Sequence, residues 1–173
     1  PLSTTAKRIA AIVITVKDQN NQLVDNAKIT LAKSGYSAEE ITGVKYLNRT
    51  DWSSGEYDSK SSYLDSDTVA GELTISSIGG KYASMSDEWW ISQTINLGTS
   101  STVFYDLNIN PLSQPLQTSM KIQLASNNDN TTWNFVGPDG TSASYYTGGI
   151  TTVHSGHDND RYLRYKVYLR TED

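Results

Sequence analysis

Apolar and polar side chains alternate without interruption over residues 162–170. A period of two places successive side chains on opposite faces of an extended chain. The apolar face carries Leu163, Tyr165, Val167 and Leu169, and the other face carries Tyr162, Arg164, Lys166, Tyr168 and Arg170. The pattern therefore predicts an antiparallel strand that is buried on one face.

Related patterns occur along the rest of the chain. Residues 9–17 are almost wholly apolar and rich in β-branched side chains, which predicts a strand in the centre of a sheet or buried on both faces. Residues 12–31, with a turn at 18–21, predict a hairpin or an early pair of sandwich strands. Shorter alternating strands are predicted at 72–75, 102–109 and 120–124, and the second of these places Val103, Tyr105, Leu107 and Ile109 on one face.

Helical patterning is nearly absent from the sequence. One helical turn is predicted around residues 38–40, and the forty residues after 47 are rich in Ser, Gly and Asp, which predicts a long irregular connection. Many short strands separated by Gly, Pro, Asn and Asp predict an all-β fold, an antiparallel β-sandwich or jelly roll.

A change of composition at residues 43–55 predicts a domain boundary. Residues 1–43 would then form an N-terminal β segment, either a short Ig-like hairpin or part of the sandwich, and residues 44–173 a jelly-roll domain. One continuous sandwich that includes the first hairpin is an equal alternative. Since Pro1 is not a usual start, we expect the chain to be a mature or trimmed fragment.

Composition narrows the classes of function. The formal net charge is -5, and the Lys and Arg residues are not clustered, so we expect no nucleic-acid partner. No apolar run approaches the roughly 20 residues of a membrane-spanning helix, so we expect no membrane insertion by this segment. The absence of Cys excludes thiol nucleophiles and thiolate metal sites. Eleven Tyr against two Phe favour half-exposed sheets.

From about Val44 onward the chain resembles a β-sandwich module of bacterial cell-surface and type IV pilin-like proteins. The residues that carry the resemblance are 46–55, 71–75, 91–98, Trp133, 137–141, 145–147 and 161–169. The resemblance implies a discoidin-like or galactose-binding-like jelly roll, an extracellular location, and neighbouring subunits of a filament or surface assembly as partners. The first thirty residues resemble the start of small Ig-like surface domains.

Two features depart from that module. The pilin-type N-terminal helix is absent from this sequence, and the module commonly continues into one more strand after the position of residues 171–173. A missing strand would leave an unpaired sheet edge, which is a template for strand addition. Residues 9–17 of the same or an adjacent subunit are the expected occupant of such an edge.

Catalytic chemistry has few candidate residues. The only two histidines, His154 and His157, lie in one polar loop, and no Gly-x-Ser-x-Gly nucleophile elbow occurs. Paired carboxylates remain the open route to a hydrolase, but we expect no enzyme. In the same loop, Asp158 and Asp160 are candidate ligands for a structural calcium ion, with a solvated hairpin loop as the alternative. No other cofactor is expected.

Aromatic and basic side chains are the candidates for ligand binding. A flat aromatic ring covers the C–H face of a sugar, which makes the four tryptophans and Tyr145 candidates, with a structural role for all four tryptophans as the alternative. The resemblance to the module assigns Trp90 to the core and Trp89 to the surface, and we select Trp89, Trp133 and Tyr145. On the polar face of residues 162–170, Arg164 and Lys166 suit an acidic glycan, a carboxylate or a neighbouring subunit, and protection of a sheet edge is the alternative. The sequence thus predicts a non-catalytic extracellular structural or adhesive β-sandwich of a surface appendage or surface protein, with a carbohydrate-binding module as the alternative.

Overall fold

The computed structural model describes residues 19–20, 28–33, 36–41, 47, 49, 52, 57–69, 71–78, 81–82, 86–110 and 116–172. The strand predicted at 9–17, most of the predicted hairpin and the predicted strand exchange lie outside these residues. The chain divides into two compact units, Pro1–Asn48 and Arg49–Asp173. This division falls five residues after the boundary expected between 43 and 44.

In the first unit, β1 (Lys28–Lys33) pairs antiparallel with β2 (Tyr36–Ile41). The register joins Lys28 to Ile41 and Lys33 to Tyr36. The helical turn predicted around 38–40 is therefore wrong. Ala and Glu favour helix only weakly, by tenths of a kcal/mol per residue, and pairing with β1 overrides that preference.

The second unit is built from short antiparallel strands. They are β3 (Tyr57–Lys60), β4 (Leu64–Asp65), β5 (Thr74–Ile75), β6 (Ser77–Ile78), β7 (Lys81–Tyr82), β8 (Glu88–Ser92), β9 (Ile95–Asn96), β10 (Asp106–Ile109), β11 (Thr118–Asn127), β12 (Gly149–Thr152) and β13 (Tyr162–Thr171). Among the described residues the only helical element is a 3-10 turn at Ser155–His157. The all-β, antiparallel fold class is thus confirmed.

The main sheet has the order β11-β13-β8-β3, and β9 also pairs with β13. β11 and β13 pair over ten residues, from Thr118 opposite Thr171 to Asn127 opposite Tyr162. β13 therefore lies inside the sheet, with β11 on one side and β8 and β9 on the other. Its half-buried antiparallel character is confirmed, but its polar row does not protect a sheet edge.

One face of the main sheet carries the hydrophobic core. Its buried members are Leu64, Trp90, Ile109, Ile122, Leu124, Tyr146, Val153, Leu163 and Val167. The Trp90 side chain is fully buried, and its ring lies 5.2 Å from Trp52, 5.6 Å from Tyr165 and 6.3 Å from Tyr57, measured between centroids. The assignment of Trp90 to the core is confirmed.

Two regions differ from the predicted pattern. The long irregular connection predicted after residue 47 is wrong, because the described part of that stretch contains the short strands β3 to β7. The register of β3 against β8 shifts between Tyr57 and Ser59. In the segment 102–109 the strand begins only at Asp106, and Val103 and Tyr105 are each 49% exposed. Phe104 packs against the core instead, because its backbone N–H donates to the Asp158 carboxylate rather than to a strand ladder. The residues of 102–109 that contact the core therefore do not follow one alternating pattern, because Phe104 takes the place of Val103 and Tyr105.

Candidate binding face

The second face of the main sheet carries cationic and aromatic side chains. Residues directly opposite each other in antiparallel strands point to the same side of a sheet. The register places Lys121, Tyr168 and Trp89 in one row across β11, β13 and β8, and Gln123 beside Lys166 in the next row. We call this surface the basic–aromatic face, and it comprises Trp89, Lys121, Gln123, Trp133, Phe135, Tyr145, Arg164, Lys166 and Tyr168.

Residues 131–146 supply three of these aromatic rings. Backbone hydrogen bonds in both directions join Val136 to Leu124 (2.9 and 3.0 Å) and Tyr146 to Ile122 (2.8 and 2.9 Å), so this segment is held along the outer edge of β11. Tyr146 is 1% exposed and belongs to the core. Because alternate residues point to opposite sides, its neighbour Tyr145 lies on the basic–aromatic face.

Gln123 connects β11 to residues 131–146 through side-chain hydrogen bonds. Its side chain is 2% exposed, and its Nε2 donates to the carbonyl oxygens of Ser142 and Ser144, each at 2.9 Å. The Tyr168 hydroxyl donates to Gln123 Oε1 at 2.8 Å. Burial, with the nearby Tyr145 and Asp87, raises the pKa of Tyr168 to about 12, so this hydroxyl remains a donor at neutral pH.

Each cation of the face lies over an aromatic ring. Lys121 Nζ is 4.1 Å from the Tyr145 ring centroid, and Arg164 Cζ is 4.4 Å from that of Trp133. Lys166 Nζ is 4.8 Å from the Trp89 and Tyr168 centroids. These distances are within the range of about 6 Å in which the ring quadrupole attracts a cation.

The cations differ in their ionic partners. Lys121 Nζ lies 2.7 Å from the Asp87 carboxylate, and Arg164 lies 2.9 Å from that of Asp58. Arg164 also donates from Nε to Thr94 Oγ1 at 2.9 Å. Within the described part of the chain, Lys166 makes no ion pair, and burial lowers its pKa.

All five predicted ligand-binding residues lie on this face: Trp89, Trp133, Tyr145, Arg164 and Lys166. Each is half-buried rather than fully exposed, because residues 131–146 pack beside the sheet. The prediction missed Lys121, Gln123 and Phe135. The alternation over 120–124 contained the signal for Lys121 and Gln123, since it placed both on the polar side of a strand.

The predicted metal ligands serve the backbone and side chains of their own region. Asp158 Oδ1 accepts from the Phe104 N–H at 2.9 Å. Asp160 accepts from Ser126 Oγ at 2.6 Å and from Asn128 Nδ2 at 2.9 Å. Within the ranges that the structure describes, no group of three or more His, Cys, Asp or Glu side chains is arranged to hold a metal ion.

The hydrogen bonds of Ser126 with His157 and Asp160 differ in direction from those of a hydrolytic triad. The Ser126 hydroxyl has one hydrogen, which it donates to Asp160, so the His157 Nδ1 at 2.8 Å must be the donor to Ser126 Oγ. In a triad the imidazole accepts the hydroxyl proton instead. His157 is 4% exposed, and its Nε2 makes no hydrogen bond.

Two small clefts lie elsewhere in the second unit. One, of about 220 Å³, is lined by Arg49, Ser92, Gln93, Thr94, Ile95 and Tyr165, and the other, of about 210 Å³, by Gln117, Thr118, Ser119, Arg170 and Glu172. Both are smaller than ordinary small-molecule sites, which enclose roughly 300–1,000 Å³. Neither includes a residue of the basic–aromatic face, so that face is a surface and not the wall of these clefts.

No protein-family model, curated protein or solved structure matches this chain. In the described residues, no helix has the length and apolar character needed to cross a membrane. Function is therefore inferred from the residues of the basic–aromatic face.

Proposed function

We propose that this protein is a non-catalytic, extracellular β-sandwich of the bacterial surface that serves in adhesion and binds carbohydrate through the basic–aromatic face. A jelly roll of the discoidin-like or galactose-binding-like type is part of the same proposal. The observation that carries it is the convergence of Trp89, Trp133 and Tyr145 with Lys and Arg side chains on one face. Aromatic rings offer apolar surface to sugar C–H groups, and cations and amides bind their polar groups.

The use of the potential acid and base residues supports a non-catalytic role. His157, Ser126 and Asp160 hydrogen-bond to one another within the fold, and Asp158 holds the Phe104 backbone. A general base must lie within hydrogen-bond reach of the proton that it removes from a substrate. His157 is buried and its Nδ1 already faces Ser126, so this geometry favours a structural role for the group.

A carbohydrate array tests the proposal directly. The wild-type protein should bind at least one class of polysaccharide, and Trp133→Ala should weaken that binding about tenfold or more, because a ring that stacks on a sugar contributes roughly 1.5 kcal/mol or more through the apolar area that it covers. Tyr82→Ala is the matched control, since this tyrosine is 46% exposed but lies in β7, outside the main sheet. Absence of binding to every carbohydrate, or equal loss in both variants, would contradict the proposal.

A second candidate role is that of a subunit in a surface appendage. Exposed apolar side chains favour it: Leu116 is 94% exposed, and Ile150, on β12 of the two-stranded β10–β12 sheet, is 72% exposed. Such side chains are typical of contacts with a neighbouring subunit when they form a patch. Light scattering and negative-stain imaging should then show defined oligomers or filaments that Ile150→Asp disrupts. A monomer at all concentrations would remove this candidate and leave the adhesive role in place.

A further inference from the structure

Lys166 differs from the other two cations of the basic–aromatic face. Lys121 and Arg164 are each neutralised by an aspartate within 3 Å, whereas no described carboxylate forms an ion pair with Lys166. The whole chain has a formal net charge of -5. Among the residues that the structure describes, Lys166 is thus the cation of this face that has no carboxylate partner.

Three aromatic rings lie close to the Lys166 ammonium. Its Nζ lies 4.8 Å from the ring centroids of Trp89 and Tyr168 and 5.8 Å from that of Phe135. Lysines that only cover apolar surface usually extend their ammonium group into water. Here the ammonium stays among three rings, and burial lowers its pKa. An anion that reached it would form a charge-assisted hydrogen bond beside apolar ring surface, where the effective dielectric constant is lower than in bulk water.

The neighbouring rings narrow the class of anion. Trp133, under Arg164, lies on the same side of the sheet as Trp89 and Lys166. Since side chains two residues apart on one strand are about 6.6 Å apart along it, Arg164 and Lys166 are spaced on the scale of one sugar ring. A small inorganic anion would use the ammonium alone, whereas a sugar acid would use the ammonium and the rings together.

We propose that Lys166 selects an acidic polysaccharide, by pairing its ammonium with the carboxylate of a uronic acid residue while the tryptophans contact the sugar rings. This inference rests on the proposed carbohydrate binding and names its ligand class. The remaining carboxylates and hydroxyls of the polymer reach Arg164 and Lys121. Neutral polysaccharides leave the Lys166 ammonium unpaired and are bound more weakly.

Titration with three polymers tests the inference. We expect polygalacturonate to bind at least tenfold more tightly than neutral dextran, because one charge-assisted hydrogen bond corresponds to about tenfold or more in affinity. Lys166→Gln should remove most of this difference. Arg170→Gln is the matched control, because it removes one positive charge from the same strand where Arg170 already pairs with Glu172 at 3.6 Å, and it should change affinity less than about threefold.

Each other result has a definite meaning. Equal binding of dextran and polygalacturonate by the wild-type protein would overturn the role of Lys166 and leave carbohydrate binding intact. Preference for dextran sulfate over polygalacturonate would overturn the choice of a carboxylate. Binding of none of the polymers would overturn the inference, and absence of binding across the whole carbohydrate array would overturn the proposed function as well. Because these comparisons use the wild-type protein, they remain decisive even if Lys166→Gln fails to fold.

Discussion

Ser126 Oγ and His157 Nδ1 lie 2.8 Å apart, and the imidazole is the donor of this hydrogen bond because the hydroxyl hydrogen goes to Asp160. His157 is therefore held as the neutral tautomer that carries its hydrogen on Nδ1. Burial lowers its pKa, and the nearby His154 lowers it further, whereas Asp160 and Asp158 act in the opposite direction. The folded state thus resists protonation of this side chain.

Stability should decrease in mild acid as a result. Unfolded His157 has a pKa near 6.5 and the folded state a lower one, so the unfolded state binds the proton first as the pH falls. The free energy of unfolding should be constant above about pH 7.5, decrease from about pH 6.5 downward, and level off below the folded-state pKa. Urea unfolding at pH 7.5 and 5.0 measures this decrease.

Two variants assign the pH effect to one residue. His157→Gln should show a smaller loss of stability between pH 7.5 and 5.0 than the wild-type protein, and His154→Gln should keep most of the loss. Three aspartates with shifted pKa values do not contribute to the difference between pH 7.5 and 5.0: Asp65, Asp129 and Asp139. Hydrogen bonds lower the pKa of each carboxyl below its usual value, so these groups titrate under more acidic conditions. Equal losses in the wild-type protein and His157→Gln would count against the explanation.

Gly140 should be far less tolerant of alanine than Gly98. Both have a positive φ, +79° and +85°, and that alone costs an alanine about 1–2 kcal/mol. A Cβ at Gly140 would also lie 2.6 Å from the His154 ring, whereas at Gly98 it meets nothing within 4 Å. The ring cannot simply turn away, because its Nδ1 accepts the Gly156 N–H at 3.0 Å. Chemical unfolding should give a loss of roughly 2–5 kcal/mol for Gly140→Ala.

The adjacent tryptophans should respond differently to truncation. Trp90→Ala removes a fully buried ring from the core and should lower the free energy of unfolding by about 3–5 kcal/mol. Trp89→Ala removes a half-buried ring on the opposite face and should cost about 1–2 kcal/mol. Denaturant titration of the two variants measures the difference. Equal costs would mean that the two faces of β8 are not as distinct as the burial of these rings indicates.

Gln123→Glu tests how residues 131–146 are fixed to the sheet. The glutamate keeps the shape but loses the two hydrogen bonds to Ser142 and Ser144, and it places a carboxylate against their carbonyl oxygens. We expect a loss of stability of about 3 kcal/mol or more at pH 7, because a buried group would be both charged and unpaired. Gln117→Glu, at an exposed position, is the matched control and should change stability by less than about 0.5 kcal/mol.

The long strands and the main core residues follow from local pattern. β13 and the centre of β11 were predictable because one row of each strand is apolar. The assignment of Trp90 to the core rested on the resemblance to the surface-protein module, because its inward neighbours Glu88 and Ser92 are polar and give no apolar period. The change of inward residues at Phe104 was not predictable, since it depends on a hydrogen bond to Asp158, fifty-four residues later. β3 was missed because its shifted register breaks the period of two.

In the candidate site, too, local sequence predicted the individual residues, but long-range contacts decide their arrangement. Residue type selected Trp89 and Trp133, because few other side chains suit a sugar ring, and the alternation of residues 162–170 selected Lys166. Their meeting on one face depends on the register of β13 against β8 and on the bonds of Val136 and Tyr146 to the edge of β11. Such long-range pairings leave no periodic trace in the sequence.

β3 and β13 run in the same direction, because each is antiparallel to β8. The chain therefore enters β3 at Tyr57 at one end of the sheet and leaves β13 at Thr171 at the opposite end. A stretching force applied between these two points acts along the strands, and the hydrogen bonds between them share the load instead of opening one after another. A domain with this connectivity is suited to bear tension along its strands.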